Sequence, residues 1–273
     1  RSFTETVQVG QRLEALAEIT AVKREKQAAI VHDWQNKWAL EGSCGPRNAG
    51  MGYWDELKRH YNALAREGIA VEFVDQNADL TGYGLVVVPM LYLLTDAFAK
   101  KLCAFAQNGG TVIVTYWSGV VDESDLCRLG DTPYGLTELL GLRRTEIDGM
   151  YDGETRRCVS VAGCTLPAAQ ASTLCEVAAL DEKDPAEPLS LYAEDYFAGH
   201  PAAAVHRYGK GRAYYLASRF DEAFYRAFYH DTAKEIGLSP AWPEALPEGV
   251  LAVRRGSFVF VQNCTEQPAT VGN

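Results

Sequence analysis

The chain has 273 residues, 47% hydrophobic and 23% charged, a balance that excludes disorder and collagen-like structure and suffices for one large domain or two smaller ones. Formal net charge is −10, and no Lys/Arg cluster exceeds Lys23-Arg24-Glu25-Lys26 or Arg254-Arg255, which argues against nucleic acid as a partner. No apolar run approaches the ~20 residues that span a bilayer, so a membrane is not expected as a partner either.

Val7, Leu13, Leu16, Ala17 and Ala21 recur at helical spacing with Glu14 and Glu18 between them, which predicts an amphipathic helix over residues 4–24. Ala28-Ala29-Ile30-Val31 follows as a short buried strand. It runs into His32-Asp33-Trp34-Gln35-Asn36-Lys37-Trp38-Ala39-Leu40-Glu41 and a stretch rich in Gly, Ser, Pro and Asn, read together as a loop. Tyr53, Leu57, Tyr61 and Leu64 mark the next helix, stopped by Gly68. Val71-Glu72-Phe73-Val74 and Leu85-Val86-Val87-Val88 are the second and third strands, the latter closed by Pro89, which cannot continue a central ladder. Thr95 caps a helix that carries Phe98, Leu102, Phe105 and Ala106 on one face and ends at Gly109-Gly110. A fourth strand, residues 111–115, stops abruptly at Tyr116-Trp117-Ser118-Gly119.

This alternation predicts the α/β class: a flavodoxin-like, doubly wound parallel sheet with helices on both faces. The right-handed crossover rule puts the third strand beside the first and opens a switch point above them. The Trp34/Trp38 loop, residues 89–92 and Tyr116-Trp117-Ser118 then share one edge. From 142 to 196 the pattern changes to short strands without helices, such as 175–179 and 189–193. Residues 203–208 and 212–217 form a hairpin around Gly209-Lys210-Gly211. Phe220, Phe224, Ala227, Phe228 and Ile236 define a last helix, ended by Gly237. After a Pro-rich linker at 239–248, residues 250–254 and 257–261 pair as a hairpin, too little to bury a core and so the start of a truncated small β-domain.

Candidate chemistry is thin. A serine elbow needs Gly-x-Ser-x-Gly, but Trp117 stands before Ser118 where a small residue is required. His200 and His206 read as hydrogen-bonded strand residues rather than bases, and Val121-Asp122-Glu123-Ser124-Asp125 as a solvated helix start. Gly209-Lys210-Gly211 lacks the strand–loop–helix context of a phosphate loop. Seven cysteines, at 44, 103, 127, 158, 164, 175 and 264, have no paired spacing. They read as reduced thiols of a cytoplasmic protein, and a zinc site from Cys158, Cys164 and Cys175 is disfavoured. No catalytic residue, metal or cofactor is expected.

The runs HDWQNKWALEG (32–42), WDELKRHYNALAREGIAVEFVD (54–75), LTGYGLVVVPMLYLLTDAFAKKL (80–102), NGGTVIVTYWSGVVDESD (108–125) and GKGRAYYLASRFDEAF (209–224) resemble the middle domain of glycoside hydrolase family 42 β-galactosidases. The resemblance implies a trimerisation domain with a class I glutamine amidotransferase-like fold over residues 25–238, and a homotrimer as the assembly. It implies further that residues 1–24 are the helix leaving an upstream (β/α)8 barrel, and 249–273 the beginning of a small C-terminal β-domain. In that family the barrel carries two catalytic glutamates of a retaining mechanism. None of the matched stretches belongs to it, so this chain is expected to be inactive and to meet a galactoside only through the barrel.

The leading expectation is therefore a non-catalytic oligomerisation module, with Trp34, Trp38, Glu41, Tyr92 and Trp117 as interface or substrate-rim residues. The alternative is a stand-alone amidotransferase-like or sugar-binding α/β protein that uses the switch-point crevice, with His32, Asp33 and Ser118 as its site.

Overall fold

The computed structural model describes residues 2–22, 25–43, 45–46 and 50–272. The expected helix over 4–24 is shorter and differently built, and its last two residues lie outside the described ones. α1 spans Ser2–Ala15 without a buried residue, and a 3₁₀ turn, Ala17–Ala21, follows and buries Ile19. Val7 and Leu13 are exposed, so α1 buries little of its apolar stripe. The backbone tightens where Ile19 docks.

The next elements are β1 (Ala28–Val31), α2 (Trp34–Gly42), α3 (Tyr53–Arg66), β2 (Val71–Val74), β3 (Leu85–Val88), α4 (Asp96–Gln107) and β4 (Thr111–Thr115). β1 lies between β2 and β3, and β3 beside β4, all parallel, so the third strand does neighbour the first. β1, β3 and β4 are buried along their whole length, as their unbroken apolar or β-branched runs require. Thr95 accepts the Phe98 N–H and caps α4.

Beyond β4 come α5 (Thr137–Leu140), β5 (Leu142–Gly149), β6 (Arg156–Ser160), β7 (Ala169–Leu180), β8 (Glu187–Tyr192), β9 (Pro201–Tyr208), β10 (Gly211–Leu216), β11 (Ser218–Arg219) and α6 (Glu222–Glu235). Here the expected parallel sheet needs correction. β10 joins β4 in parallel, but β9, β8, β6 and β7 continue the same sheet antiparallel, with β5 and β11 on β7. The described residues thus build one mixed sheet of 11 strands. The reason is local: β9 and β10 are joined through Gly209-Lys210, Gly209 at φ +58°, and so tight a hairpin forces antiparallel pairing. Each strand added through a short connection keeps the alternation.

Two further expectations change. Residues 34–42 are a helix, α2, rather than a loop: Asp33 accepts the N–H groups of Gln35 (2.8 Å) and Asn36 (3.2 Å), a capping that starts a helix. Residues 121–127 form a tight turn instead of a helix start, because Asp122 spends its carboxylate on the Ser124 and Leu126 N–H groups and its N–H on the Leu126 carbonyl. At the far end β12 (Val250–Arg255) and β13 (Phe258–Asn263) pair as a separate two-stranded sheet. No described helix is long and apolar enough to cross a membrane.

Candidate functional site

The switch point above β1 and β3 is filled rather than open. Ser118 is fully buried, and its Oγ accepts the Leu91 N–H at 3.0 Å. Thr115 Oγ1 accepts the Met90 N–H at 2.8 Å. From α2, Asn36 donates to the Met90 carbonyl (3.1 Å) and accepts the Leu93 N–H (2.9 Å). Gln76, just past β2, donates to the Leu93 carbonyl and to Asp33 Oδ2, and accepts the Thr95 N–H. Much of the 90–95 backbone is therefore bonded by side chains from three elements, which is how a buried irregular segment avoids unsatisfied polar atoms. Asp33 and Ser118 are committed to this stapling. His200 and His206 bind the carbonyls of Ala178 and Leu139, so neither serves Ser118 as a base.

Backbone strain sits one residue earlier than the serine. Trp117 has φ +59° and Met90 φ +43°, both in the left-handed region that non-glycine residues avoid. Trp117 thus holds the position that an elbow nucleophile would take after a strand. Its N–H donates to Glu176 Oε1 (3.0 Å), a buried carboxylate that also binds Arg144 at 2.6 Å and the Tyr215 hydroxyl. The Trp117 indole stacks on Tyr92 at 5.7 Å and 21°, with the Arg144 guanidinium 6.0 Å from its ring. Both aromatic residues are buried, so Tyr92 and Trp117 offer little surface to a partner or a substrate rim. Burial also pushes the Tyr92 phenol above its ordinary value. An elbow geometry remains, with an indole in place of a nucleophile.

A second polar cluster escaped the sequence reading. Glu56 on α3 is fully buried and takes Arg219 Nε (2.8 Å), Tyr225 (2.8 Å) and Tyr116 (3.1 Å), while His60 Nε2 lies 3.2 Å away. His60 Nδ1 meets the Tyr229 hydroxyl at 2.5 Å, and Arg219 reaches back to the carbonyls of Met51 (2.7 Å) and Gly52. Burial pushes the Glu56 carboxyl up, but His60, Arg219 and Tyr225 outweigh it and hold the group down at about 2. Burial and the Glu56 charge drive the Tyr116 and Tyr225 phenols well up. The available signal was Glu56 and His60 at i, i+4 on the face that Leu57 and Leu64 bury.

The exposed edge is aromatic. The spacing of α2 puts Trp34 and Trp38 on one face, 54% and 57% exposed, with ring centres 6.2 Å apart. Trp54, in the first turn of α3 and 43% exposed, lies 6.1 Å from Trp34 and was not singled out from sequence. His32 sits among them: stacked on Trp54 (4.9 Å, 25°), edge-on to Trp34 (5.0 Å, 86°) and 6.0 Å from Tyr53. Burial lowers the His32 imidazole below its usual range; Asp33 opposes that shift and Lys37 adds to it. Lys37 lies over Trp34 and pairs with Glu41 at 2.6 Å, and a groove between α2 and α3 is lined by Lys37, Glu41, Tyr53, Trp54 and Asp55. The structure therefore brings together His32, Trp34, Trp38 and Glu41, while Tyr92 and Trp117 form their own buried pair.

Of the cysteines, Cys44 lies outside the described residues and the other six are free. Burial pushes the Cys158 and Cys175 thiols up to about 12, and no group of three metal-binding side chains occurs among the described residues.

Residues 26–239 match the family model of the beta-galactosidase trimerisation domain. The chain is 44% identical over 279 aligned residues to the β-galactosidase BglY of Alicyclobacillus acidocaldarius, covering 99% of this chain and 40% of that protein. It is 34% identical to the β-galactosidase GanA of Bacillus subtilis, again over 99% of this chain and 40% of that one. Among solved structures, the cold-adapted β-galactosidase of Rahnella sp. R3 superimposes with a TM-score of 0.90 at 41% identity, over 96% of this chain and 39% of that one. The enzyme of Bacillus circulans sp. alkalophilus gives 0.89 at 31%, over 96% and 39%. The chain spans about two fifths of the length of these relatives. It belongs to the β-galactosidase trimerisation domain family.

Proposed function

We propose that the chain is the non-catalytic self-association module of a cytoplasmic β-galactosidase, that it assembles as a homotrimer, and that galactoside hydrolysis takes place elsewhere in the protein. The observation that carries this reading is the contrast at one end of the sheet: a crevice closed by its own side chains beside an exposed cluster of three tryptophans. Buried aromatic anchors supply much of the energy of protein interfaces, and exposed ones gathered in one patch are suited to that use. A threefold assembly needs a heterologous contact, in which this face meets a different face of the next copy. The order β2-β1-β3-β4-β10 of the parallel strands supports the flavodoxin-like, amidotransferase-like description of residues 25–238. The separate β12–β13 sheet supports a boundary near 239–248, and the free thiols suit a cytoplasmic setting.

The crevice reading has the strained Trp117 in its favour, but among the described residues Ser118 has no base, and it has no exposure. Light scattering on the 273-residue chain across a tenfold dilution series tests the assembly. A trimer mass that Trp34→Ala with Trp38→Ala reduces to the monomer is expected. A constant monomer mass at every concentration overturns the reading.

A further inference from the structure

Among the described residues His32 is the one imidazole within the exposed aromatic face, and its own chain offers a positive charge there no free acceptor. Its Nε2 is buried and without a hydrogen-bond partner. The ring is enclosed by Trp54, Trp34 and Tyr53. Asp33, the adjacent carboxylate, has Oδ1 on the Gln35 and Asn36 N–H groups and Oδ2 on Gln76. On α2 the next charges are Lys37, of the same sign as a protonated imidazole, and Glu41, already paired with it. On α3, Asp55 is paired with Lys58 at 3.5 Å, and Tyr53 is a neutral phenol. Past β2, Asp75 accepts the Asn77 N–H. The N-terminal end of α2, one residue beyond His32, adds its own partial positive charge.

Covering this face takes away the solvent that still reaches the ring. The charged imidazole loses hydration and finds no free acceptor on its own chain, while the neutral one loses little. Stacking on the Trp54 face stabilises a cation in the free chain and by about a further kcal/mol once desolvated, less than the several kcal/mol of hydration a covered charge loses. Proton binding and association must therefore oppose one another.

We propose that association through the Trp34, Trp38 and Trp54 face is gated by His32, which permits assembly when neutral and weakens it when protonated. The gate rests on the assembly reading above and adds a regulation to that surface. Because burial already lowers His32 below 6.5, association is full above that pH and declines as pH falls through the free chain's own value. The limiting loss approaches tenfold per pH unit for each covered imidazole.

Sedimentation equilibrium of the chain at pH 7.5 and pH 5.0, with far-UV circular dichroism to verify the fold at both, decides it. The quantity read is the ratio of association constants at the two pH values, for the unaltered chain, His32→Gln and His32→Phe. Two replacements are used because one alone could disturb the stack. The expected result is a fall of tenfold or more in the unaltered chain, and a change below threefold in whichever replacement still assembles at pH 7.5. An unaltered chain that changes less than threefold overturns the gate and leaves the assembly reading standing. So does a replacement that loses as much as the unaltered chain, which would pass the effect to other groups such as His230, paired with Glu67 at 2.9 Å. Failure of both replacements to assemble at pH 7.5 also overturns it, since His32 would then act as an anchor by shape rather than by charge. A chain that is monomeric at pH 7.5 throughout overturns the assembly reading itself, and the gate with it.

Discussion

Two regions at the carboxyl end of the same sheet treat their side chains in opposite ways. Around Glu56 and Arg219, a buried carboxylate, imidazole and three phenols and a part-buried guanidinium are bonded to one another. Around His32, three indoles are half in water, and their histidine has a buried nitrogen with no partner. The first region turns its polar groups on one another, even His60 Nε2, which makes no hydrogen bond, lying 3.2 Å from Glu56, and it can only lose by change. The second is incomplete within the chain and can gain by contact. Catalytic sites in open α/β sheets occupy this end because loops converge there. Here the convergence serves cohesion on one side and, on the proposed assembly, adhesion on the other.

The comparison breaks hardest at Arg219. Replacing it by Ala leaves the Glu56 carboxylate buried without its cation, and the carbonyls of Met51 and Gly52 without their donor. Stripping one partner from a buried pair costs about 3–5 kcal/mol. Urea denaturation should show a midpoint lowered accordingly; a midpoint within error of the unaltered chain would mean that the cluster is ornamental.

Acid probes the same cluster without mutation. Glu56 has a folded value of about 2 against 4.5 for the ordinary group. Its contribution to stability is then fully present above pH 4.5 and is lost as pH falls from there through 2. The linkage amounts to something on the order of 3 kcal/mol for a shift of that size. Glu56→Gln should be less stable at pH 7 and lose less than the unaltered chain between pH 5 and pH 2. Parallel stability curves for the two proteins over that window would refute the assignment.

A smaller effect is expected at Ser118. Ser118→Ala leaves the buried Leu91 N–H without an acceptor, a loss of about 1–3 kcal/mol. A nucleophile's removal would instead leave stability near its starting point. Thermal or urea unfolding therefore separates a structural serine from a catalytic one without knowledge of any substrate.

How far the sequence revealed these regions follows from the range of the forces involved. Strands β1, β3 and β4 were legible because a fully buried strand must be apolar or β-branched throughout, and that is a local property. The placement of β3 beside β1 followed from chirality. The antiparallel half of the sheet was not legible in its order, since short strands such as β6 and β8 carry no record of which neighbour they pair with. α2 is short and exits into a Gly-rich stretch, so its one local helix signal, the Asp33 cap, is weak beside the turn residues that follow. The Glu56 cluster was missed for a deeper reason: a buried charge looks like a surface charge until its partners, 60 to 169 residues away, are in place. Trp34 and Trp38 were legible as a pair, while Trp54 joined them only through the packing of α3 against His32.

The smallest expected effect on stability lies on the exposed edge and sharpens the contrast most. Trp38 is more than half exposed and touches, among the aromatic rings, Trp34 alone at 6.2 Å. On a helix surface, replacement by Ala removes little that the folded chain has buried, and Ala is the stronger helix former. Trp38→Ala should therefore shift the unfolding free energy by no more than about 0.5 kcal/mol, measured at a chain concentration low enough to keep association out of the transition. The same substitution should weaken self-association at least tenfold, because an indole lost from a covered patch costs what its desolvation contributed. The two measurements must diverge for the division between a cohesive and an adhesive side to hold. If Trp38→Ala instead destabilises the dilute chain by as much as Ser118→Ala does, the indole is part of the fold's own packing, and the exposed edge belongs with the closed crevice rather than opposite it.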